Sequence, residues 1–444
     1  MKPIHRLVYI PVLILFLSTI TFATNWYVDK NASGSNNGTS WANAWEELNQ
    51  INWGSISAGD NIYVSGGSES TVYTTALEIS GLSGTAANFI TITTGMFSSS
   101  PSGHDGKVII DGGGTADNIQ LHSCNYILIK GFECRNSVSR GVYVEDYCTN
   151  VILDSLYVHD MADAGIFFNG ANAYTIDSSV VRNCTILTPL MYAGETDGLA
   201  FQNTQRSWVY NNYIRQQNQD PLAHNDCIQG HLANGFVIYN NILISDSVNS
   251  PEGGGYAQIL GSEHSNPVIV YNNFMYMGGI WYENGADSRT FCLRWYDNDP
   301  MPPTWVFNNT IISNGFKTRA VECEYRGTFI NNIFAQYTSS LNGRLDPIMD
   351  IAGTVSNPIP IDGLRSNLWY RSWGESMFPT GYQVSGNGNT GIHQAGQLGL
   401  TLMEALAYIR KILCLLIILG MNPIRELLAA NYKLVLLLSM QAMI

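Results

Sequence analysis

A short pattern recurs through the middle of this chain: a few apolar residues, a pair of asparagines, and then more apolar residues. The first asparagines of five copies are Asn211, Asn240, Asn272, Asn308 and Asn331, so successive copies lie 29, 32, 36 and 23 residues apart. Repeats of roughly 20–50 residues are typical of solenoids and propellers. Steps of such uneven length argue against propeller blades and favour coils that carry loops of different size. We therefore predict an all-β fold, a right-handed parallel β-helix.

The paired asparagines have a structural explanation in such a coil. Asparagine tolerates the left-handed backbone conformation that a tight corner requires. Its side-chain amide can also hydrogen-bond to the equivalent amides of the coils above and below, which forms an internal ladder. We predict this ladder and assign the asparagines no catalytic role.

The composition argues against two classes of protein. Only 13% of the 444 residues are charged, whereas 11% are aromatic, and a chain so rich in aromatic residues is not expected to be disordered. The net charge of −13 makes nucleic acid an unsuitable partner, so we expect none. An acidic protein can still bind an acidic polymer where a cation or a local basic patch intervenes.

The N-terminus has the features of a secretory signal peptide. Lys2 and Arg6 precede an apolar run, and Thr21–Ala23 has the small-residue pattern of a cleavage site. We predict that residues 1–23 are removed and that the mature chain is secreted, to the extracellular space, the cell surface or the periplasm. An uncleaved membrane anchor is the alternative, and we expect no other stable membrane insertion. The sequence leaves the oligomeric state open.

A cap is expected at the start of the β-helix. Ala42–Ile51 carries Trp45, Leu48 and Ile51 at helical spacing, which predicts a short amphipathic helix. An uncovered end of a β-helix would expose apolar surface and unpaired backbone groups. We therefore predict one β-helix domain over residues 24–400, with this helix capping its N-terminal end.

The end of the chain departs from the repeat. From about Thr401 the sequence becomes rich in Leu and Ile, and the asparagine pairs and glycine turns disappear. The longest apolar run, Ile412–Leu419, is too short to span a bilayer. We interpret residues 401–444 as an anomalous hydrophobic tail produced by a frameshift. A genuine C-terminal helix that covers the last coil is the alternative.

The eight cysteines contain no pair with the spacing of a zinc site. Cys227, Cys292 and Cys323 recur at similar points of successive repeats. We predict that they are buried, stacked thiols rather than disulfides.

Each coil also has a second strand, along which successive residues point in opposite directions. Alternation places three pairs of residues in the core: Val142 and Val144, Ile166 and Phe168, and Leu199 and Phe201. It places an outward row beside them: Tyr143, Phe167, Ala200, Gln229, Glu145, Asn169, Gln202 and His231. Arg294 and Glu322 fit the same row less closely.

Asp197 and Asp226 are the main candidates for chemistry on this second strand. They lie 29 residues apart, the same step as Asn211 to Asn240, so we expect them on adjacent coils. Two neighbouring carboxylates repel each other, which raises one pKa and yields the acid and base that glycoside hydrolysis needs. With Glu195, they also offer the oxygen ligands of a Ca²⁺ site. The third interpretation is that each Asp caps a turn.

The chain resembles the pectate-lyase-like superfamily of right-handed parallel β-helix proteins over Asn25–Ala335. The resemblance lies in Ala58–Gly67 (AGDNIYVSGG), Gly84–Thr93 (GTAANFITIT), Tyr126–Cys134 (YILIKGFEC) and the asparagine pairs. Members include polysaccharide lyases, glycoside hydrolases, uronate epimerases, pectin esterases and tail-spike or adhesin proteins. The resemblance therefore implies a polysaccharide or glycan as partner but does not select the reaction.

Two short motifs are similar to those of polygalacturonases, with departures. Thr196–Gly198 (TDG) and Asn225–Ile228 (NDCI) look like that family's Asp-bearing motifs, but Asn225 stands where the family has a second Asp. The Gly-His of Gly230–Leu232 lies on the same strand instead of one coil later, and the Arg-x-Lys motif has no clear equivalent. These departures argue against a polygalacturonase-like hydrolase.

A lyase that acts on uronates needs a base and a group that neutralises the substrate carboxylate. We predict that His231 is the base and that Arg294 pairs with the carboxylate. Asp197 and Asp226 would supply further acid–base groups or bind Ca²⁺. The predicted substrate-binding residues are Gln202, Gln229, His224 and Tyr296. The function we expect is β-elimination on an acidic polysaccharide; a glycoside hydrolase and a non-catalytic glycan-binding surface protein are the alternatives.

Overall fold

The computed structural model describes residues 23–113, 117–172, 175–189, 194, 196–218, 220, 225–245, 256–262, 267–278, 288–294, 304–314, 318–323, 327–337, 349–352, 364–365, 367–371, 381–385 and 391–394. The predicted signal peptide, apart from Ala23, and the tail 401–444 lie outside this part of the chain. The prediction of an all-β, right-handed parallel β-helix is confirmed. Within the described ranges, no helix is both long enough and apolar enough to cross a bilayer.

Each coil consists of strands on three faces, and every strand of a face pairs in parallel with its equivalents one coil before and after. The first face contains Asn25–Val28, Asn61–Val64, Ile90–Thr94, Asn125–Lys130, Thr149–Asp154, Val180–Arg182, Trp208–Tyr210, Val237–Tyr239, Val268–Tyr271, Thr304–Phe307, Gly327–Ile330 and Leu364–Arg365. The second face contains Ser70–Tyr73, Lys107–Asp111, Glu133–Ser137, Tyr157–Met161, Thr185–Leu187, Tyr213–Gln216, Ile242–Ser245, Phe274–Met277, Thr310–Asn314, Ile333–Tyr337 and Leu368–Arg371.

The third face completes the coil. It contains Leu77–Ser80, Ile119–His122, Val142–Asp146, Ile166–Gly170, Leu199–Gln205, Asn225–Asn234, Tyr256–Ser262, Ser288–Arg294, Thr318–Cys323, Met349–Ala352 and Gly381–Ser385. Two short strands lie beside it: Ile176–Asp177, and Gly391–Gln394, which pairs antiparallel with Gly381–Ser385. The third face corresponds to the predicted second strand of each coil.

The asparagine spacing sets the register of the first face. Val209 pairs with Ile238, Ile238 with Val270, Val270 with Val306, and Val306 with Phe329. These partners are separated by the same steps as the asparagine pairs, because each pair marks the same corner of its coil. The prediction of one repeat per coil is confirmed.

The two asparagines of a pair have different structural roles. The first, such as Asn240, has a φ of 55° and makes the corner in the left-handed conformation. The second, such as Asn241, is buried, and its Oδ1 accepts hydrogen bonds from the backbone N–H and from Nδ2 of Asn212, both at 3.0 Å. Asn241 in turn donates to Asn273. The predicted ladder is therefore confirmed, and it consists of the second asparagines.

The predicted N-terminal helix is wrong. The segment forms three short 3₁₀ turns, Trp41–Asn43, Leu48–Gln50 and Trp53–Ser55. The backbone of Trp45 pairs with the first strand instead: its N–H donates to Tyr27 at 3.0 Å, and its carbonyl accepts from Asp29 at 2.8 Å. A residue paired on both sides in this way cannot also take part in helical hydrogen bonds.

The helical spacing in this segment nevertheless identified buried residues. Trp45, Leu48 and Ile51 all belong to the hydrophobic core, as an N-terminal cap requires. The cap is therefore made of turns that place the same three side chains against the end of the core. Apolar periodicity predicted which side chains are buried but not the backbone that carries them.

The predicted core residues of the third face are confirmed. Val142, Val144, Ile166, Phe168 and Leu199 are fully buried, and Phe201 beside them is 2% exposed. The rings of Phe168 and Phe201 stack with centroids 4.9 Å apart. The core is continuous from coil to coil.

The cysteine prediction is correct in part. The five cysteines with described side chains are free and buried: Cys124, Cys134, Cys148, Cys184 and Cys227. The three predicted to stack do not share a column. Cys292 follows Gln229 in register through Leu260, and Cys323 follows Gly230 through Gly261 and Leu293. The variable loops shift these cysteines relative to the coil, so similar spacing did not mean the same register.

Replacing Gly198 by Ala is expected to destabilise the middle coils. A Cβ at this position would lie 2.5 Å from Cγ2 of Ile214 and 2.7 Å from the carbonyl oxygen of Cys227. Overpacking of this kind costs about 1–3 kcal/mol. Thermal unfolding followed by circular dichroism measures the effect. Gly54→Ala is the control, because its Cβ would approach only the Asn52 side chain, at 3.3 Å; equal melting temperatures for the two variants would contradict the packing argument.

Candidate functional site

Two outward columns run along the third face. The register aligns Glu78, Gln120, Tyr143, Phe167, Ala200, Gln229, Leu260, Cys292 and Glu322 in one column. It aligns Ser80, His122, Glu145, Asn169, Gln202, His231, Ser262 and Arg294 in the other. The predicted outward row is therefore contiguous, and the backbones of Arg294 and Glu322 are in register with it. Adjacent members are about 4.8 Å apart, so residues distant in sequence line one surface.

Parts of this row are covered rather than exposed. Tyr143 is 9% exposed, because the Arg140 guanidinium lies 3.5 Å from its ring centroid. Arg140 is fixed there by an ion pair with Asp117, with Nε 3.0 Å from Oδ1. Ala200 is 6% exposed. The polar members Gln202, Gln229 and His231 are half-buried and remain in contact with solvent.

Asp197 and Asp226 lie on adjacent coils, as predicted, and both are buried, at 3% and 0% exposure. Oδ1 of Asp197 accepts the backbone N–H of Asp226 at 2.8 Å, and Oδ1 of Asp226 accepts the N–H of Ala257 at 2.7 Å. Oδ2 of Asp226 lies 3.5 Å from Nε2 of Gln229, at the limit of a hydrogen bond. One oxygen of each carboxylate therefore connects two successive coils, a structural role that differs from the predicted cap of a local turn.

A buried polar network surrounds the start of these strands. Thr196 and Asn218 both donate to Oδ1 of Asn225, and Nε2 of Gln216 donates to the carbonyl of Thr196 at 2.8 Å. The Cys227 thiol contacts Oε1 of Gln258 at 3.0 Å. Burial raises the pKa of Cys227 well above its ordinary value, so this thiol stays neutral and is not a nucleophile at neutral pH. The network holds the segment that carries Asp226 rigidly.

The remaining predicted site residues divide into two groups. The strand register places Gln202, His231 and Arg294 in one column, with His231 and Arg294 two coils apart. For Arg294 the backbone alone is described. Three predicted residues lie outside the described part of the chain: Glu195, His224 and Tyr296.

The two roles of Asp226 can be separated by substitution. Asp226→Asn retains an oxygen that can accept the Ala257 N–H, so we expect stability close to that of the wild type. Asp226→Ala leaves this buried N–H without its partner, which costs about 1–3 kcal/mol. Denaturant-induced unfolding of the two variants measures the difference. Equal destabilisation by Asn and Ala would show that the carboxylate charge, rather than the hydrogen bond to Ala257, stabilises the site.

A groove of about 800 Å³ occupies the N-terminal end of the third face. Its lining includes Trp53, Thr75, Glu78, Asp117, His122 and Glu145. Strand alternation predicted Glu145 in the outward row, whereas His122 and Asp117 were not predicted as site residues. The early coils lack asparagine pairs that would mark the length of each coil. The sequence therefore did not show that His122 and Glu145 are one coil apart.

Comparisons with known proteins agree with the fold. No protein-family profile matches this chain, and no curated protein sequence does. Among solved structures, the complex of XylC with xylose is 11% identical, with a TM-score of 0.48 over 74% of this chain and 75% of that chain. A GH136 lacto-N-biosidase from Eubacterium ramulus is 12% identical, with a TM-score of 0.44 over 78% of this chain and 68% of its own. Pectate lyase Pel9A is 12% identical, with a TM-score of 0.38 over 60% and 79% of the two chains.

These likenesses bear on architecture alone. The β-helix architecture is shown by the parallel strand pairing of this chain itself. Because a fold hosts many unrelated activities, the function has to be argued from the residues of this chain.

Proposed function

We propose that this chain is a secreted enzyme that cleaves a uronate-containing polysaccharide by β-elimination on the third face. The observation that supports the proposal is the strand register, which aligns the backbones of Gln202, His231 and Arg294 in one column beside that of Gln229. In this proposal His231 would supply a base, Arg294 a cation, and Gln202 and Gln229 amide groups, which are the kinds of side chain that the reaction uses.

His231 is assigned as the base. A neutral imidazole takes the proton from the carbon that bears the substrate carboxylate, and the electron pair of that C–H bond forms a carbon–carbon double bond. The glycosidic C–O bond on the next carbon breaks, and the leaving oxygen takes up a proton from the imidazolium. The net change is the transfer of one proton from carbon to oxygen, with no water consumed.

Arg294 and the amides are assigned to binding. His231 and Arg294 are two coils apart, roughly 10 Å along the axis, which suits a polysaccharide that lies along the column. Arg294 would pair with a carboxylate of the neighbouring sugar, since a guanidinium forms strong bidentate bonds with carboxylates. Gln202 and Gln229 would hydrogen-bond to sugar hydroxyls. His224 and Tyr296 are proposed as further substrate-binding residues.

Ca²⁺ is a proposed cofactor for the same site. Carboxylate oxygens are the ligands it prefers, and Asp197, Asp226 and Glu195 would hold it. The fit is partial, because Oδ1 of Asp197 and Oδ1 of Asp226 already accept backbone N–H groups. A bound Ca²⁺ ion would neutralise the substrate carboxylate and so acidify the adjacent C–H.

The test is an assay of the purified chain on a panel of uronate polymers, with and without Ca²⁺, that follows unsaturated products and reducing ends together. We expect both signals to rise in parallel on at least one polymer. Reducing ends without unsaturation would replace the lyase by a hydrolase. Retained polymer binding without any product would favour a non-catalytic glycan-binding surface protein.

A further inference from the structure

We propose that His122, Glu145 and Asp146 form a binding site for a divalent transition-metal ion, such as Zn²⁺ or Mn²⁺, at the edge of the N-terminal groove. Each residue offers one ligand atom, and the three atoms all lie within 4.8 Å of one another. His122 Nδ1 is 2.7 Å from Oδ2 of Asp146 and 3.5 Å from Oε1 of Glu145. In the part of the chain that the structure describes, these three residues form the single cluster with this property.

The spacing of the ligand atoms suits a metal ion. Ligand atoms about 2.0–2.2 Å from a tetrahedral ion are separated from each other by roughly 3.3–3.5 Å. The observed separations from His122 to the two carboxylates, 2.7 and 3.5 Å, require only small side-chain movements to reach this range. All three side chains are partly exposed, at 46%, 22% and 31% for His122, Glu145 and Asp146, so an ion can reach the site from solvent.

The backbone brings two consecutive carboxylates to the same side. Neighbouring residues of a strand normally point to opposite faces. Asp146 ends its strand with a φ of 63°, in the left-handed region, and this turn directs its side chain to His122 together with that of Glu145. His122 and Glu145 are direct partners in the register of adjacent coils. The cluster therefore depends on the coil and cannot form in an isolated strand.

Gln120 hydrogen-bonds to the Glu145 carboxylate at the oxygen that faces His122. Its Nε2 donates a hydrogen bond of 2.7 Å to Oε1 of Glu145. Outer groups that hydrogen-bond to a ligating carboxylate fix its orientation and are common at metal centres.

The donor set selects the class of ion. One imidazole nitrogen with two carboxylate oxygens suits Zn²⁺ or Mn²⁺, whereas Ca²⁺ takes oxygen ligands. The site is therefore distinct from the proposed Ca²⁺ site at Asp197 and Asp226. It is also independent of the proposed β-elimination, because Glu145 lies three coils before His231 on the same face.

A bound ion would change what the groove can hold. Glu78 and Glu145 line the groove, and carboxylates repel an anionic ligand. A divalent ion with three protein ligands keeps at least one coordination position for a hydroxyl or carboxylate oxygen of a ligand. The proposed site would thus give an acidic groove a positive centre for oxygen-rich ligands such as sugars.

The chain contains a matched control in His159. This imidazole also contacts two carboxylates, with Nδ1 2.7 Å from Oδ2 of Asp160 and Nε2 3.4 Å from Oε1 of Glu133. The two carboxylates approach different ring nitrogens, on opposite sides of the ring, so they do not converge on one point. His159→Ala therefore removes the same side chain and the same kind of ion pair without removing a metal site.

The experiment is isothermal titration of the chelator-treated, tag-free full chain with Zn²⁺, and separately with Mn²⁺. We expect one equivalent to bind, at least a tenfold loss of affinity in His122→Ala and in Glu145→Gln, and an unchanged affinity in His159→Ala. Circular dichroism checks that each variant is folded. No binding by the folded wild type, or equal affinities for His122→Ala and His159→Ala, would overturn the proposal and leave His122 in an ordinary ion pair.

Discussion

Asn241→Ala is expected to destabilise the β-helix strongly. Oδ1 of Asn241 accepts the backbone N–H and Nδ2 of Asn212, and its own Nδ2 donates to the carbonyl of Val209 at 2.9 Å. Truncation to alanine leaves the backbone N–H of Asn212 and one N–H of its side-chain amide buried without their acceptor, while the other amide N–H still donates to the carbonyl of Val181. Each such group costs about 1–3 kcal/mol, so we expect a loss of about 2–6 kcal/mol. Denaturant-induced unfolding measures the loss.

Asn240→Gly is the matched control for this prediction. Asn240 is the exposed member of the same pair and has a φ of 55°. Glycine adopts that conformation without strain, so we expect a change of well under ~1 kcal/mol. If Asn240→Gly destabilises the chain as much as Asn241→Ala, then the buried ladder is not the main contribution of the asparagine pair to stability.

His231→Ala is expected to have the largest effect on activity. Loss of a general base lowers the rate of proton abstraction by about 10²–10⁴-fold. The change lies on the outer face, and His231 is only half-buried, so the melting temperature should stay close to that of the wild type. The rate of formation of unsaturated product on a uronate polymer measures the effect.

His159→Ala serves as the control for the activity prediction. His159 lies on the second face, in the strand Tyr157–Met161, away from the outward columns of the third face. We expect its rate of product formation to match that of the wild type. A His231→Ala enzyme that retains wild-type activity would remove His231 from the mechanism, and another base would have to be found among the outward residues.

The register of the first face could be predicted from sequence because each asparagine pair marks a corner. The corner takes a left-handed residue and the ladder takes a buried amide, so an asparagine pair such as Asn211 and Asn212 marks one corner in each coil of the ladder. The same step placed Asp197 and Asp226 on adjacent coils. Between His122 and Glu145 other residues form the corners, so the number of residues in that coil could not be predicted from the sequence.

Other parts depended on contacts that periodicity does not encode. The spacing of Trp45, Leu48 and Ile51 predicted burial, but the backbone of Trp45 pairs with the first strand and prevents a helix. The carboxylates of Asp197 and Asp226 were predicted as neighbours. Their hydrogen bonds to backbone N–H groups became apparent only when the coils were stacked.

The measurement that most directly tests the central claim is the reaction of a uronate polymer with this chain in heavy-oxygen water, followed by mass spectrometry of the products. β-Elimination uses no water, so the account predicts unsaturated ends and no heavy oxygen at the newly formed ends beyond the slow exchange seen in an enzyme-free control. Incorporation of one heavy oxygen per cut, with saturated ends, would contradict the account and establish a hydrolase on the same face.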